Sequence, residues 1–174
     1  MKLKGKTAAL LVEDIYNEFE VWIPYYRLKE EGVVVTVVGS GTASLYHGKL
    51  GIPVHVDKNA ADVKASDFDA VIIPGGYAPD KMRLHPEMVG LVRDAFNLGK
   101  VVACICHGGW MLASAGILKG KRATSYIAIK DDMVNAGALW EDSEMVRDGN
   151  LITSRKPEDL PAFCRTLVQA MQGM

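Results

Sequence analysis

Four short apolar runs, each followed by a stretch with helical or turn character, restrict this chain to a narrow set of folds. Thr7–Val12, Val33–Val38, Ala70–Pro74 and Lys100–Cys106 are dominated by Val, Ile, Leu and Ala and carry no polar alternation. Continuous apolar runs of this length fit strands buried on both faces, as in a parallel sheet. Between them lie helical patterns. One runs from about Asn17 to Glu31 and is closed by Gly32. Pro24 within it predicts a kink or a late start. A second begins at Pro86, with Met88, Val89, Val92 and Phe96 on one face, and ends at Asn97–Gly99. A third follows at Trp110–Ala115, and an amphipathic helix over Pro161–Met171 closes the chain. Gly51–Asp57 alternates and, with Pro53, reads as an edge segment; Asp148-Gly149 signals a hairpin. Strands separated by helices imply right-handed βαβ units and an α/β sandwich: a mostly parallel sheet with helices on both faces and its ligand site beyond the carboxyl ends of the strands.

The 174 residues fit a single domain, 1–174, without linker or repeat. Twenty basic and 21 acidic residues leave a net charge of −1, which gives no reason to expect nucleic acid or an anionic membrane as partner. The three cysteines, Cys104, Cys106 and Cys164, cannot make a disulfide framework. Their odd number, with no signal-peptide pattern at the start and no apolar run near the roughly 18 residues of a membrane span, predicts a cytoplasmic protein.

Chemistry concentrates at two strand ends. Cys106 closes an apolar strand and is followed by His107-Gly108-Gly109 and a helix, the strand–nucleophile–turn–helix order of a nucleophile elbow. The following helix is expected to lower the thiol pKa, and His107 to take or balance its proton. A buried apolar cysteine is the competing reading of the same position. Cys104 and Cys164 read as core. Glu13, Asp14, Glu18 and Glu20 form an acidic cluster after the first strand. Glu18 suits a solvated first turn, whereas Glu20 is either that or a carboxyl group pressed against the thiol. Gly75-Gly76 after Pro74 exposes backbone N–H groups suited to an oxyanion hole together with the residue after Cys106. The remaining histidines, His47, His55 and His85, have no metal-ligand spacing, so no metal and no cofactor is expected.

Ile73-Pro-Gly-Gly76, Ala103-Cys-Ile-Cys-His-Gly108, Ile129-Lys-Asp-Asp132, Asn135-Ala-Gly137 and Asp148–Arg155, in this order, resemble the ThiJ/PfpI superfamily, and within it the PfpI-type intracellular proteases (peptidase family C56, glutamine amidotransferase-like). The resemblance spans about Ala8 to Val168. It implies a flavodoxin-like three-layer sandwich, with Cys106 as nucleophile, His107 beside it, and Glu20 as the thiol-contacting acid. It further implies Gly76 and the His107 N–H as the oxyanion hole, with Gly75 beside them, and Tyr126 as a pocket residue. In this branch a neighbouring subunit's glutamate completes a Cys-His-acid triad. Asp80 stands at that position, one methylene shorter. Gly109 replaces a frequent proline and predicts a looser elbow.

The expected function is that of a cysteine-dependent hydrolase or lyase in stress defence: a peptidase, or a deglycase or glyoxalase acting on dicarbonyls or glycated groups. Its substrate is a small carbonyl compound or a peptide. A homo-oligomer, dimer or hexamer, is implied. The alternative is a non-catalytic redox sensor or chaperone with an oxidisable Cys106. A glutamine amidotransferase is disfavoured, because that chemistry needs a histidine and a glutamate far downstream of the cysteine and no histidine follows His107.

Overall fold

The computed structural model describes residues Met1 to Gly173. Strands β1 (Thr7–Val12), β2 (Val34–Gly39), β6 (Ala70–Ile73), β7 (Val101–Ile105) and β11 (Leu151–Ser154) form the body of a parallel sheet. Two short strands edge it: β5 (Lys58–Asn59), parallel to β2, and β10 (Met145–Asp148), antiparallel to β11. The order is β10-β11-β7-β6-β1-β2-β5. Its central part, β2-β1-β6-β7-β11, is the doubly wound flavodoxin-like order, and its switch point lies between β1 and β6. Every residue of β6, β7 and β11 is buried; β6 and β7 are apolar throughout, while in β11 the buried Thr153 hydroxyl accepts from the Thr124 N–H and the buried Ser154 hydroxyl donates to the Glu144 carbonyl.

Helices cover both faces. On one, α1 (Glu18–Glu30) packs against α6 (Leu160–Gln172). On the other, α3 (Pro86–Asn97) packs against α4 (Gly109–Ala115), and α4 also meets α2 (Ala78–Met82) and α5 (Lys130–Asn135). A ribbon of β3 (Leu45–His47) and β4 (Pro53–His55) and a pair formed by β8 (Arg122–Ala123) and β9 (Leu139–Trp140) stand outside the main sheet. None of the helices among the described residues is long and apolar enough to cross a membrane.

Three local expectations change. The segment around Pro53 is not an edge of the main sheet but pairs with β3 in the separate ribbon, so the edge next to β2 falls to Lys58–Asn59. Helix α1 neither starts late nor breaks at Pro24; it begins at Glu18, where the Asn17 side chain accepts a hydrogen bond from the Phe19 N–H at 3.1 Å. Pro24 has no N–H for the Glu20 carbonyl four residues earlier, and packing of Val21, Pro24 and Leu28 into the core holds the helix through that gap. Glu18 is no solvated first-turn acid: it is 4% exposed, and its Oε1 accepts the Leu50 N–H at 2.6 Å.

Candidate active site

The carboxyl ends of β1, β6 and β7 converge on Cys106. Its φ is +61°, in the left-handed region that non-glycine residues rarely enter, and it leaves β7 directly into a 3-10 turn and α4. Such an outlier costs of order 1 kcal/mol or more and persists only where the surroundings over-determine it. Here a buried strand pulls from one side and a packed helix from the other. Gly109 does not loosen this bend. It has helical angles (φ −56°, ψ −26°), and Met133 and Ile129 fill the space that its side chain would take.

The loops after β1 and β6 are laced together beneath the thiol. Tyr77 N–H donates to the Ile15 carbonyl at 2.8 Å, and Ile15 N–H donates to the His47 carbonyl at 2.7 Å. Ile15 itself has a φ of +65°, an exceptional conformation for a β-branched residue, and nothing in its local sequence announces it. Gly75 sits where no side chain fits: a Cβ there would lie 2.6 Å from Glu20 Oε2 and 2.7 Å from the Cβ of Cys106. Gly76 has a φ of +73°, and a Cβ would lie 2.5 Å from both the Asn17 nitrogen and the Ile15 oxygen. Because the obstacles are backbone atoms, Gly76→Ala is expected to destabilise the fold by at least about 2 kcal/mol. Urea unfolding measures this, and an unchanged midpoint would show that the loop relaxes freely.

Glu20 is fully buried. Its Oε2 accepts the Gly75 N–H at 2.7 Å, while Oε1 has no hydrogen-bond partner. The carboxyl group lies against the thiol, close enough that each alters the other's protonation. Burial is the larger cause and pushes Glu20 up to about 7, partly opposed by the Gly75 N–H. Cys106 is only 8% exposed, and burial, then the charge of Glu20, push its thiol up to about 12. Backbone N–H groups of His107 and Gly76 point at the sulfur and pull the other way without prevailing. The expected acidic thiol is therefore not found: amide donors from the turn after β7 and the loop after β6 act, but removal of the sulfur from water outweighs them.

His107 Nδ1 stands 3.3 Å from Cys106 Sγ. Burial lowers the pKa of His107, which favours the neutral ring able to accept a proton. Tyr126 and Trp110 hold that ring, each with a centroid separation of 5.1 Å, and the Tyr126 N–H donates to the Cys106 carbonyl. Asp80 is not brought to this centre. It lies half-buried on α2, and its carboxylate has no hydrogen bond or ion pair among the described residues. Cys104 and Cys164 are buried, at 1% and 5% exposure.

A cavity of about 360 Å³ opens over the sulfur, lined by Asn17, Gly76, Tyr77, His107 and Tyr126 and by two residues that the sequence pattern does not mark, Lys49 and Lys156. The arrangement brings together a thiol, a histidine ring, a buried carboxyl group and two backbone amide donors at one cavity.

The model of the DJ-1/PfpI family matches residues 6–170. The chain is 46% identical over 157 residues to deglycase PfpI of Pyrococcus furiosus, covering 90% of this chain and 94% of that one. It is 36% identical over 169 residues to protein/nucleic acid deglycase 2 of Escherichia coli, covering 96% and 98%. A solved two-domain protein of Anabaena variabilis, with DJ-1/ThiJ/PfpI-like and ferritin-like domains, superposes with a TM-score of 0.92 at 45% identity. The alignment covers 94% of this chain and 47% of that protein, so the present chain spans about half its length. The name of the E. coli relative leaves the exclusion of nucleic acid, drawn from net charge, without support. With a match running over nearly the whole sequence, this chain belongs to the DJ-1/PfpI family.

Proposed function

We propose that this enzyme removes 2-oxoaldehyde adducts from thiols and amines, with Cys106 as nucleophile and Glu20 as proton carrier. The observation that carries the reading is the buried Glu20 carboxyl against Cys106 at the floor of a cavity sized for a small carbonyl compound. Two relatives named as deglycases agree with it.

In this chemistry Sγ attacks the carbon that bears the carrier's sulfur or nitrogen. His107 takes the thiol proton, and the carrier leaves with a proton as free thiol or amine. The resulting hemithioacetal on Cys106 has an oxygen within reach of the Gly76 and His107 N–H groups. Glu20 then moves a proton from the former aldehyde carbon to the adjacent ketone carbon, while the proton of the hemithioacetal hydroxyl passes to the ketone oxygen. This internal redox step gives a thioester of a 2-hydroxy acid, and water hydrolyses it and restores the thiol. The sum is adduct plus water giving 2-hydroxy acid plus free carrier, with no external oxidant or reductant. Tyr126 holds the His107 ring and walls the cavity.

The chain is further proposed to act as one domain, Met1 to Met174, and to assemble as a dimer or hexamer in which Asp80 faces a neighbour's His107. The unpartnered carboxylate of Asp80 supports that placement.

Incubating the wild-type protein with the methylglyoxal adduct of N-acetylcysteine is expected to release lactate and free thiol in equal amounts. Cleavage of unstructured peptides without lactate release would overturn the reading.

A further inference from the structure

Two cations at the cavity have no part in the chemistry above. Lys49 reaches it from the loop after β3, where its backbone N–H bonds the Tyr16 carbonyl at 2.9 Å. Its charge is felt at both Glu20 and His107. Lys156 lies just beyond β11 and lines both this cavity and an adjoining one of about 350 Å³, which also shares Tyr126. The neighbouring Arg155 is neutralised, by Asp142 at 2.6 Å and Asp159 at 2.9 Å. Neither lysine forms an ion pair among the described residues, and no Asp or Glu lines the cavity.

Two ammonium groups without an ion-pair partner on the wall of one small cavity give its mouth a positive potential, which concentrates anions and does nothing for a neutral dicarbonyl. The adjoining cavity gives the carrier of an adduct room beyond the reacting carbon, and Lys156 stands between the two spaces. Resting on the deglycase reading above, we propose that Lys49 and Lys156 form an anion subsite that selects carbonyl adducts whose carrier bears a carboxylate or phosphate.

Alkylation of Cys106 tests the subsite without requiring turnover. Iodoacetate and iodoacetamide are similar in size, and both alkylate Sγ with loss of iodide, but only the first is an anion. Peptide mass mapping follows Cys106 apart from the buried Cys104 and Cys164. In the double variant Lys49→Gln, Lys156→Gln, the iodoacetate-to-iodoacetamide rate ratio is expected to fall about tenfold, roughly threefold for each charge, Lys49 being exposed and Lys156 half-buried. The double variant Lys49→Arg, Lys156→Arg is expected to keep the ratio within about twofold of wild type.

At constant ionic strength, inorganic phosphate and acetate separate the two anion classes. Stronger protection of Cys106 by phosphate assigns a phosphorylated carrier, stronger protection by acetate a carboxylate-bearing one, and protection by neither overturns the subsite. An unchanged rate ratio in the Gln variant removes the subsite and leaves the deglycase reading standing. A Cys106 inert to both reagents removes both.

Discussion

Replacing Cys106 by serine is expected to cut turnover of methylglyoxal adducts by at least about a thousandfold, with stability kept within about 1 kcal/mol of wild type. A thousandfold corresponds to about 4 kcal/mol of transition-state stabilisation. The attacking atom must shed its proton inside a site that resists charge, and a hydroxyl does so far less readily than a thiol. Its shorter bond to Cβ also draws the nucleophile back from the two amide donors and from His107 Nδ1, 3.3 Å from the sulfur in the wild type. The fold has little reason to notice. Serine occupies slightly less volume, and the strained φ of +61° comes from β7 and α4 rather than from the side chain. Lactate release and urea unfolding on the same preparation separate the two effects. Activity retained within tenfold would place the nucleophile elsewhere.

The elbow was legible because its demands are local. A buried strand must end, a sharp bend needs small neighbours, and Gly108-Gly109 supplies them beside Cys106. The parallel sheet was legible for a similar reason, since strands covered on both faces cannot alternate polar and apolar residues. What resisted reading depends on parts of the chain meeting in space. The thiol was expected to be acidic from its helix, yet its environment is set by how closely Glu20, Gly75 and Gly76 pack over it from two other loops. Lys49 and Lys156 follow no periodicity and carry no motif; only the closure of the β3–β4 ribbon and of the turn after β11 brings them to one cavity. Pro53 correctly excluded a central strand but could not distinguish the sheet edge from a separate ribbon, because both leave its missing N–H unneeded. The partner expected for Asp80 lies beyond a single chain altogether.

Glu20→Gln is expected to make the protein more stable and nearly inactive, and pH decides how much more stable. The Glu20 carboxyl is pushed up to about 7 by burial, against an ordinary value of 4.5. Below pH 4.5 the group is protonated in both folded and unfolded chains and contributes no pH dependence. Between about 4.5 and 7 the folded chain holds the proton more tightly, so the wild type loses stability as pH rises, and above about 7 the full cost of the buried charge is present. That cost is roughly 3 kcal/mol, and glutamine removes it. Its carbonyl oxygen can still accept the Gly75 N–H, and its amide can face the sulfur where Oε1 now lacks a partner. At pH 8 the variant should therefore melt about 5 °C or more above wild type, with the gap closing by pH 4.5. Turnover should drop at least about a hundredfold, because an amide cannot carry a proton between two carbons. In the wild type, activity should rise as pH passes about 7. There the Cys106–Glu20 pair comes to hold a single proton, which frees the Glu20 carboxylate to act as the base on the carbon-bound proton while His107 takes the proton of the thiol. The variant's residual activity should lack this limb. A variant no more stable than wild type at pH 8, or one that keeps the limb near 7, would show that Glu20 is not the group that holds the proton beside the thiol.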